Sequence, residues 1–344
     1  MPIDTAPLES LLSEARDIVL IGHFNPDGDA VGSTTAALYY LRSRGKHPRI
    51  ILPNPYPESL DFLVPDDGKI LLCEQEPEEA RRLVAAADLL VCLDFNRLAR
   101  TEYLEEAILV SPAKKVLIDH HIAAELDRFD LSYSTVSVSS TCELLFWILL
   151  AMPDIAGDPL RIPLPCAEAL YAGMMTDTNN FSNSVFPATF EMASRLIARG
   201  VDKNGLQDKV LNGHSVSRTR LMGYMLKDKM QILARHGASY MLLSNQEKEE
   251  YHFRPGDSEG FVNLPLSIGS VQISALFTEN VDGKYIRVSL RSKDGVNVNR
   301  LAVRFFNGGG HRNASGGRLY MPLEEVPAYF EQALDAYTDE EKFS

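Results

Sequence analysis

The sequence lacks four things that would steer its reading elsewhere. It has no excess of positive charge: the formal net charge is −13, whereas a protein that tracks along duplex DNA or long RNA usually carries a basic stripe. It has no CxxC pair among its four cysteines, Cys73, Cys92, Cys142 and Cys166. They sit mostly in or beside apolar runs and read as small buried thiols of a reducing, cytoplasmic compartment. It has no basic n-region followed by an apolar stretch at its start, so no signal peptide is expected. It has no long hydrophobic run either. The longest, residues 144–152, is far short of the about 20 residues that a membrane helix needs, and reads as a core helix.

What is present is the balance of an ordinary soluble chain long enough for two cores: 344 residues, 45% hydrophobic and 24% charged. The first half alternates. Residues 17–21, 49–52, 69–73, 89–93 and 115–118 are apolar runs of strand length. Residues 31–44, 78–87 and 101–108 have helical spacing. Continuous apolar strands alternating with helices predict a mostly parallel sheet covered on both faces. Helical patterns follow over 141–152, 165–176 and 189–198, and residues 201–229 read as a helical connector. Beyond it, strands are expected at 239–243, 270–277, 285–290 and 318–321, with helices at 298–306 and 324–337. The domains are therefore drawn as 1–200, a 201–229 linker, and a smaller α+β domain over 230–344.

Polar motifs gather at expected strand ends, where ligands of such sheets bind. His23-Phe24-Asn25-Pro26-Asp27-Gly28-Asp29 follows the first strand and opens a helix. One aspartate there satisfies a helix cap; two with a histidine exceed it. Asp94 ends another strand. Asp119-His120-His121 ends a third, where neighbouring histidines point in different directions and Asp119 can orient an imidazole. Asp177 ends a helical run. Bringing Asp27, Asp29, Asp94, Asp119 and Asp177 to one edge would set carboxylates against each other by roughly 4 kcal/mol per pair at about 4 Å. Protonation or cations must relieve this. Mixed carboxylate and imidazole donors without cysteine suit Mn²⁺ best, with Mg²⁺ or Co²⁺ as alternatives.

These motifs resemble the DHH phosphoesterase superfamily. The run Asn307-Gly308-Gly309-Gly310-His311-Arg312-Asn313-Ala314-Ser315-Gly316-Gly317 is similar to the DHHA1 domain that accompanies one of its branches. In size and make-up the chain is closest to the bifunctional nanoRNase/pAp phosphatases. The resemblance implies an α/β DHH catalytic domain, a helical connector and a smaller α+β DHHA1 domain. It also implies two Mn²⁺ ions, one on His23 and Asp27, the other on Asp29, His120 and Asp177, with Asp94 shared. His121, Asp94 and Asp119 would serve catalysis, a hydroxide held by the metals attacking phosphorus. Arg291, Lys293, Gly308, Gly309, Gly310, His311, Asn313 and Ser315 would contact substrate. The family usually has Gly after Asp-Thr in its fourth motif; here Asn179 stands there, a residue type that tolerates left-handed backbone.

The activity implied is that of an exoribonuclease and 3′(2′),5′-bisphosphate nucleotidase: hydrolysis of short oligoribonucleotides, dinucleotides included, to mononucleotides, and of pAp to AMP. A groove between two domains would favour short substrates. No membrane or long duplex is expected as a partner, and the family suggests a homodimer. Alternatives are a phosphodiesterase of c-di-AMP, pApA or pGpG, an inorganic pyro- or polyphosphatase, and a non-catalytic nucleotide-binding module.

Overall fold

The structure, a computed structural model, describes residues 3–65, 70–211, 215–293 and 295–337. It divides into two compact units, residues 1–213 and 214–344.

The first unit begins with α1 (Ala6–Glu14), β1 (Ile18–Ile21), α2 (Gly28–Ser43), β2 (Arg49–Leu52), β3 (Leu71–Leu72), α3 (Pro77–Ala86) and β4 (Leu89–Leu93). It continues through α4 (Glu105–Val110), β5 (Lys114–Asp119), β6 (Leu131–Ser134), α5 (Thr141–Ala151), α6 (Leu164–Asp177), α7 (Pro187–Arg199) and α8 (Lys203–Leu211). Its strands form one parallel sheet in the order β3-β2-β1-β4-β5-β6. Every residue of β1 and β4 is buried, because helices cover both faces. Ile18, Leu20, Leu89, Val91, Val116 and Ile118 face one core, shared with α1, α2, α5 and α6. Val19, Ile21, Leu90, Cys92 and Leu117 face another, beneath α3 and α4. The four cysteines are buried thiols.

Register decides where the polar motifs emerge. Ile21 lies opposite Cys92, and Leu93 opposite Ile118. The carboxyl ends of β1, β4 and β5 therefore align, and the residues that follow them share one edge. The strand order reverses between β1 and β4, which is where open parallel sheets bind ligands.

Helices α2 and α6 approach backbone to backbone at Gly32. A Cβ on Gly32 would stand 2.8 Å from the Ala169 carbonyl oxygen and 3.0 Å from the Gly173 Cα. The contact brings the start of α2 to the end of α6.

The second unit contains α9 (Val216–Tyr224), a π-helical turn (Met225–Lys229), β7 (Gln231–Leu233), β8 (Ala238–Leu243), α10 (Asn245–Glu250), β9 (Ile273–Glu279) and β10 (Ile286–Ser292). It ends with α11 (Val298–Phe305), β11 (Gly309–Gly310), β12 (Ala314–Leu319) and α12 (Val326–Ala336). The sheet order is β11-β12-β10-β9-β8-β7, with β8 and β9 parallel and the other pairs antiparallel. Helices α11 and α12 cover one face through Leu301 and Phe330, with Phe306 just after α11 packed between them. Phe261, Leu221 and Met225 pack on the other. No helix among the described residues is long and apolar enough to cross a membrane.

Several expected elements change. The strand expected at 69–73 shrinks to β3, and residue 69 lies outside the described residues. The helix expected at 101–108 is a 3-10 stretch, Leu98–Leu104, bent at Glu102 (φ 44°, ψ −97°) before α4. The strand β6 is half-buried and half-polar, which hides it in the sequence. The strand expected at 318–321 lies earlier, at β12, because its Gly316 and Gly317 read as motif rather than as strand. That glycine run is a packing device. A Cβ on Gly308 would meet the Gly316 carbonyl oxygen at 1.9 Å, main chain against main chain. A Gly308→Ala chain is therefore expected to lose about 2 kcal/mol from the second unit. Native-state hydrogen exchange of the β12 amides reads this; unchanged protection would show that the two segments part without strain.

Candidate metal centre

Three loops and two helix ends build the site. The loop after β1 turns through Asn25 in left-handed backbone (φ 55°), pinned by its N–H on Asn54 Oδ1 at 2.6 Å. It delivers His23 and then Asp27, the N-cap of α2, whose Oδ1 accepts from the N–H groups of Asp29 and Ala30 at 3.0 and 3.2 Å. Asp94, directly after β4, is also left-handed (φ 68°), and its N–H donates to the Ile118 carbonyl at 3.1 Å. This turns its carboxylate back across the edge. His120 and His121 follow β5, and Asp177 ends α6.

The carboxylate of Asp94 is shared between two histidines. Its Oδ2 lies 3.4 Å from His23 Nε2, and its Oδ1 lies 3.6 Å from His120 Nε2. On the first side, His23 Nε2 is also 3.8 Å from Asp27. On the second, His120 Nε2 is 3.8 Å from Asp29 and 3.5 Å from Asp177. Donor atoms of His23, Asp27 and Asp94, and separately of Asp29, Asp94 and His120, lie within 4.8 Å of one another. Asp29 and Asp27 thus belong to different groups, although they are two residues apart. His23 Nε2 is buried without a hydrogen-bond partner, an arrangement that a cation completes.

His121 is held differently. Its Nδ1 is 2.7 Å from Asp119 Oδ1, and its N–H donates to Asp119 Oδ2 at 3.1 Å. With Nδ1–H donating to Asp119, Nε2 becomes the acceptor, and Arg100 Nη1 stands 2.9 Å from it.

Burial and mutual repulsion push the acids up. Asp29 rises through burial and then the charge of Asp94. Asp177 rises well above the carboxyl range through burial and its acidic neighbours, and Asp94 rises mainly through burial. Burial also lifts Asp119 to about 6. For His23, burial and Arg100 oppose protonation, but Asp27 and Asp94 prevail and raise it to about 9. Asp27 moves the other way: burial opposes ionisation, yet pairing with His23 holds it below the ordinary range.

Sequence reasoning missed the residues that orient the acids. Asp29 accepts from the N–H groups of Thr141 and Cys142 at the start of α5, at 2.6 and 2.9 Å. The Thr141 hydroxyl donates to Asp94 at 2.9 Å. The buried Glu143 fixes that helix start. Its Oε2 accepts from the Ser139 N–H at 2.9 Å, the Ser139 hydroxyl at 2.5 Å and the Thr189 hydroxyl at 2.7 Å. Ser140 as N-cap is legible in the sequence, but a partner 112 residues away is not. Asn179 lies in left-handed backbone (φ 46°), as do Asn180 and Phe181.

In the second unit the expected substrate residues lie around β10, β11 and β12. Arg291 pairs with Ala314 across the sheet. Lys293 Nζ donates to the Ile268 carbonyl at 2.8 Å. Gly308 donates its N–H to the Ala302 carbonyl at 3.3 Å, while Gly309 and Gly310 pair with Gly316 and Ser315. Gly309 and Gly310 thus form a short edge strand rather than an open turn. Asn313 Nδ2 donates to Ser292 Oγ and to the carbonyls of Lys293 and Val296, and Ser315 Oγ donates to the His311 carbonyl at 2.7 Å. Asn313 and Ser315 brace the loop that carries His311.

The sequence profile of the DHH family, N-terminal domain, matches residues 17–174, and that of the DHHA1 domain matches residues 239–340. The chain belongs to the DHH family. As a DHH protein it is a phosphoester hydrolase. It is similar to the probable bifunctional oligoribonuclease and PAP phosphatase NrnA of Streptococcus mutans, with 29% identity over 92% of this chain and 94% of that protein. It is 28% identical to the cyclic-di-AMP phosphodiesterase GdpP of Bacillus subtilis over 96% of this chain, and spans 49% of that protein's length. Among solved structures it resembles an exopolyphosphatase-related protein from Bacteroides fragilis, with TM-score 0.87 and 38% identity over 96% of this chain and 95% of that one.

The raised groups give this DHH protein a signature in the absence of metal. A group whose folded pKa exceeds its unfolded value contributes stability at low pH that is lost as pH rises through the folded pKa. His23 does so between 6.5 and about 9, and Asp119 between 3.8 and about 6. Asp29, Asp94 and Asp177 share that sign. Asp27 has the opposite sign, but acts only below 3.8. Thermal unfolding in chelator is expected to show Tm falling from about pH 5 to about pH 9, with divalent ions restoring most at the alkaline end. A flat or rising Tm would contradict the cluster.

Proposed function

We propose that the protein hydrolyses RNA of two to five nucleotides to mononucleotides and pAp to AMP, using two divalent ions, with Mn²⁺ the best match to these imidazole and carboxylate donors. The observation that carries the reading is the split of Asp94, one oxygen toward His23 and the other toward His120. A carboxylate so placed would suit two cations at once. His23 and Asp27 would hold one ion, Asp29, His120 and Asp177 the other, and Asp94 both. When bound, the ions supply a water nucleophile near neutral pH and offset charge on the phosphoryl group.

The chain's own residues do the rest. Thr141 and the start of α5 hold Asp94 and Asp29 in place. Asp119 fixes the ring of His121 through Nδ1, so His121 would assist the leaving group through Nε2. In the second unit, Arg291, Lys293 and His311 are proposed to hold the nucleotide's phosphate and base. The preference for short RNA and pAp rests on the NrnA relative, matched along 94% of its length. A second reading, polyphosphate hydrolysis, is favoured by the description of the Bacteroides fragilis structure as exopolyphosphatase-related. A third, c-di-AMP hydrolysis, is favoured by GdpP.

One panel separates them: pAp, RNA of two to five nucleotides, longer RNA, DNA, c-di-AMP and polyphosphate, each with and without Mn²⁺. Fast Mn²⁺-dependent turnover of pAp and short RNA is expected, with slow turnover of the rest. Preferential cleavage of polyphosphate or c-di-AMP would replace the proposal. Asp94→Asn is expected to lower the rate by more than about 100-fold, beyond the usual effect of losing an outer partner of a metal site. Full activity in that variant would remove the shared carboxylate from the mechanism.

A further inference from the structure

Arg100 stands at the acidic centre without an acid of its own. It lies in the 3-10 stretch Leu98–Leu104 that follows β4. Its backbone is anchored at both ends: its N–H donates to the Arg97 carbonyl at 3.0 Å, and its carbonyl accepts from the Phe24 N–H at 2.7 Å. The second bond ties it to the loop that carries His23. Its side chain reaches His121 Nε2 at 2.9 Å. Asp27, Asp94 and Asp119 all feel its charge, yet among the described residues it forms no salt bridge.

A guanidinium contacting only an imidazole keeps most of its donors available. The charge balance says for what. Two divalent ions would cancel the carboxylates of Asp27, Asp29, Asp94 and Asp177, and Asp119 adds another beside His121, so the ions alone would leave the site no net attraction for a phosphate dianion. Arg100 is the further cation that stands there, with donors turned toward the centre.

We propose that Arg100 is a substrate-contact residue that leaves His121 to grip an oxygen of the phosphoryl group held at the metal centre. The inference rests on the proposed function, since it needs a phosphate at this site. Binding of the anion pulls the guanidinium off Nε2 and so frees His121 to face the leaving group. Attraction and the exposure of His121 are thereby coupled to one ligand.

The test uses the full chain loaded with Mn²⁺, with AMP and inorganic phosphate as probes. In Arg100→Gln, the Kd for both and the KM for pAp are expected to rise about tenfold or more. In Arg100→Lys, which keeps the charge but not the planar fork, the rise is smaller, about threefold. Mn²⁺ affinity, read by electron paramagnetic resonance, is expected to stay within about twofold in both, because Arg100 is not a ligand. Unchanged AMP and phosphate binding with only kcat reduced would confine Arg100 to orienting His121, and would overturn the proposal while sparing the proposed function. A parallel loss of Mn²⁺ affinity would overturn it too. If the native protein loaded with Mn²⁺ binds neither probe, both readings fail together. Should Arg100→Gln not fold, the Lys variant decides alone.

Discussion

Several acidic side chains held at one sheet edge repel each other, and the rest of the first unit is arranged around that repulsion. Two carboxylates about 4 Å apart disfavour each other by roughly 4 kcal/mol at an effective dielectric of about 20. Here Asp29, Asp94, Asp119 and Asp177 meet in a largely dry setting. The protein meets the repulsion with directed donors: two N–H groups at the start of α5 on Asp29, a hydroxyl on Asp94, and imidazoles between the acids. A helix start is well suited to this, because its first N–H groups have no partner within the helix. The residual charge is what makes the site a place for cations.

The parallel sheet was legible because its strands are continuous apolar runs, and β1, β2, β4 and β5 stand at or within one residue of the expected spans. Register then follows from burial, and it places the polar residues after β1, β4 and β5 at one edge. What stayed hidden has a common cause. Strand β6 is a half-polar edge, so its pattern is weak. The bend at Glu102 depends on how the chain returns toward the loop after β1, which no local pattern encodes. Strand β12 is disguised by glycines whose purpose is close approach.

The candidate site divides along the same line. Its histidines and aspartates are legible because such residues after apolar strands are conspicuous. The residues that orient them are not. Thr141 is an ordinary helix-start residue in the sequence, and Arg100 one of several arginines; each acquires meaning only from a partner far along the chain. The second unit shows the converse: Asn313 and Ser315 sit within a conspicuous motif, yet spend their side chains on the loop itself. A motif marks a place without saying which of its members face outward.

The contact of Gly32 with Ala169 and Gly173 has a mechanical meaning. Where side chains separate two helices, rotamer changes can absorb a mutation or a thermal fluctuation. Where backbone rests on backbone, as at Gly32, there is no rotamer to turn, and the two helices keep their spacing there much as a hard stop sets the gap of a vice.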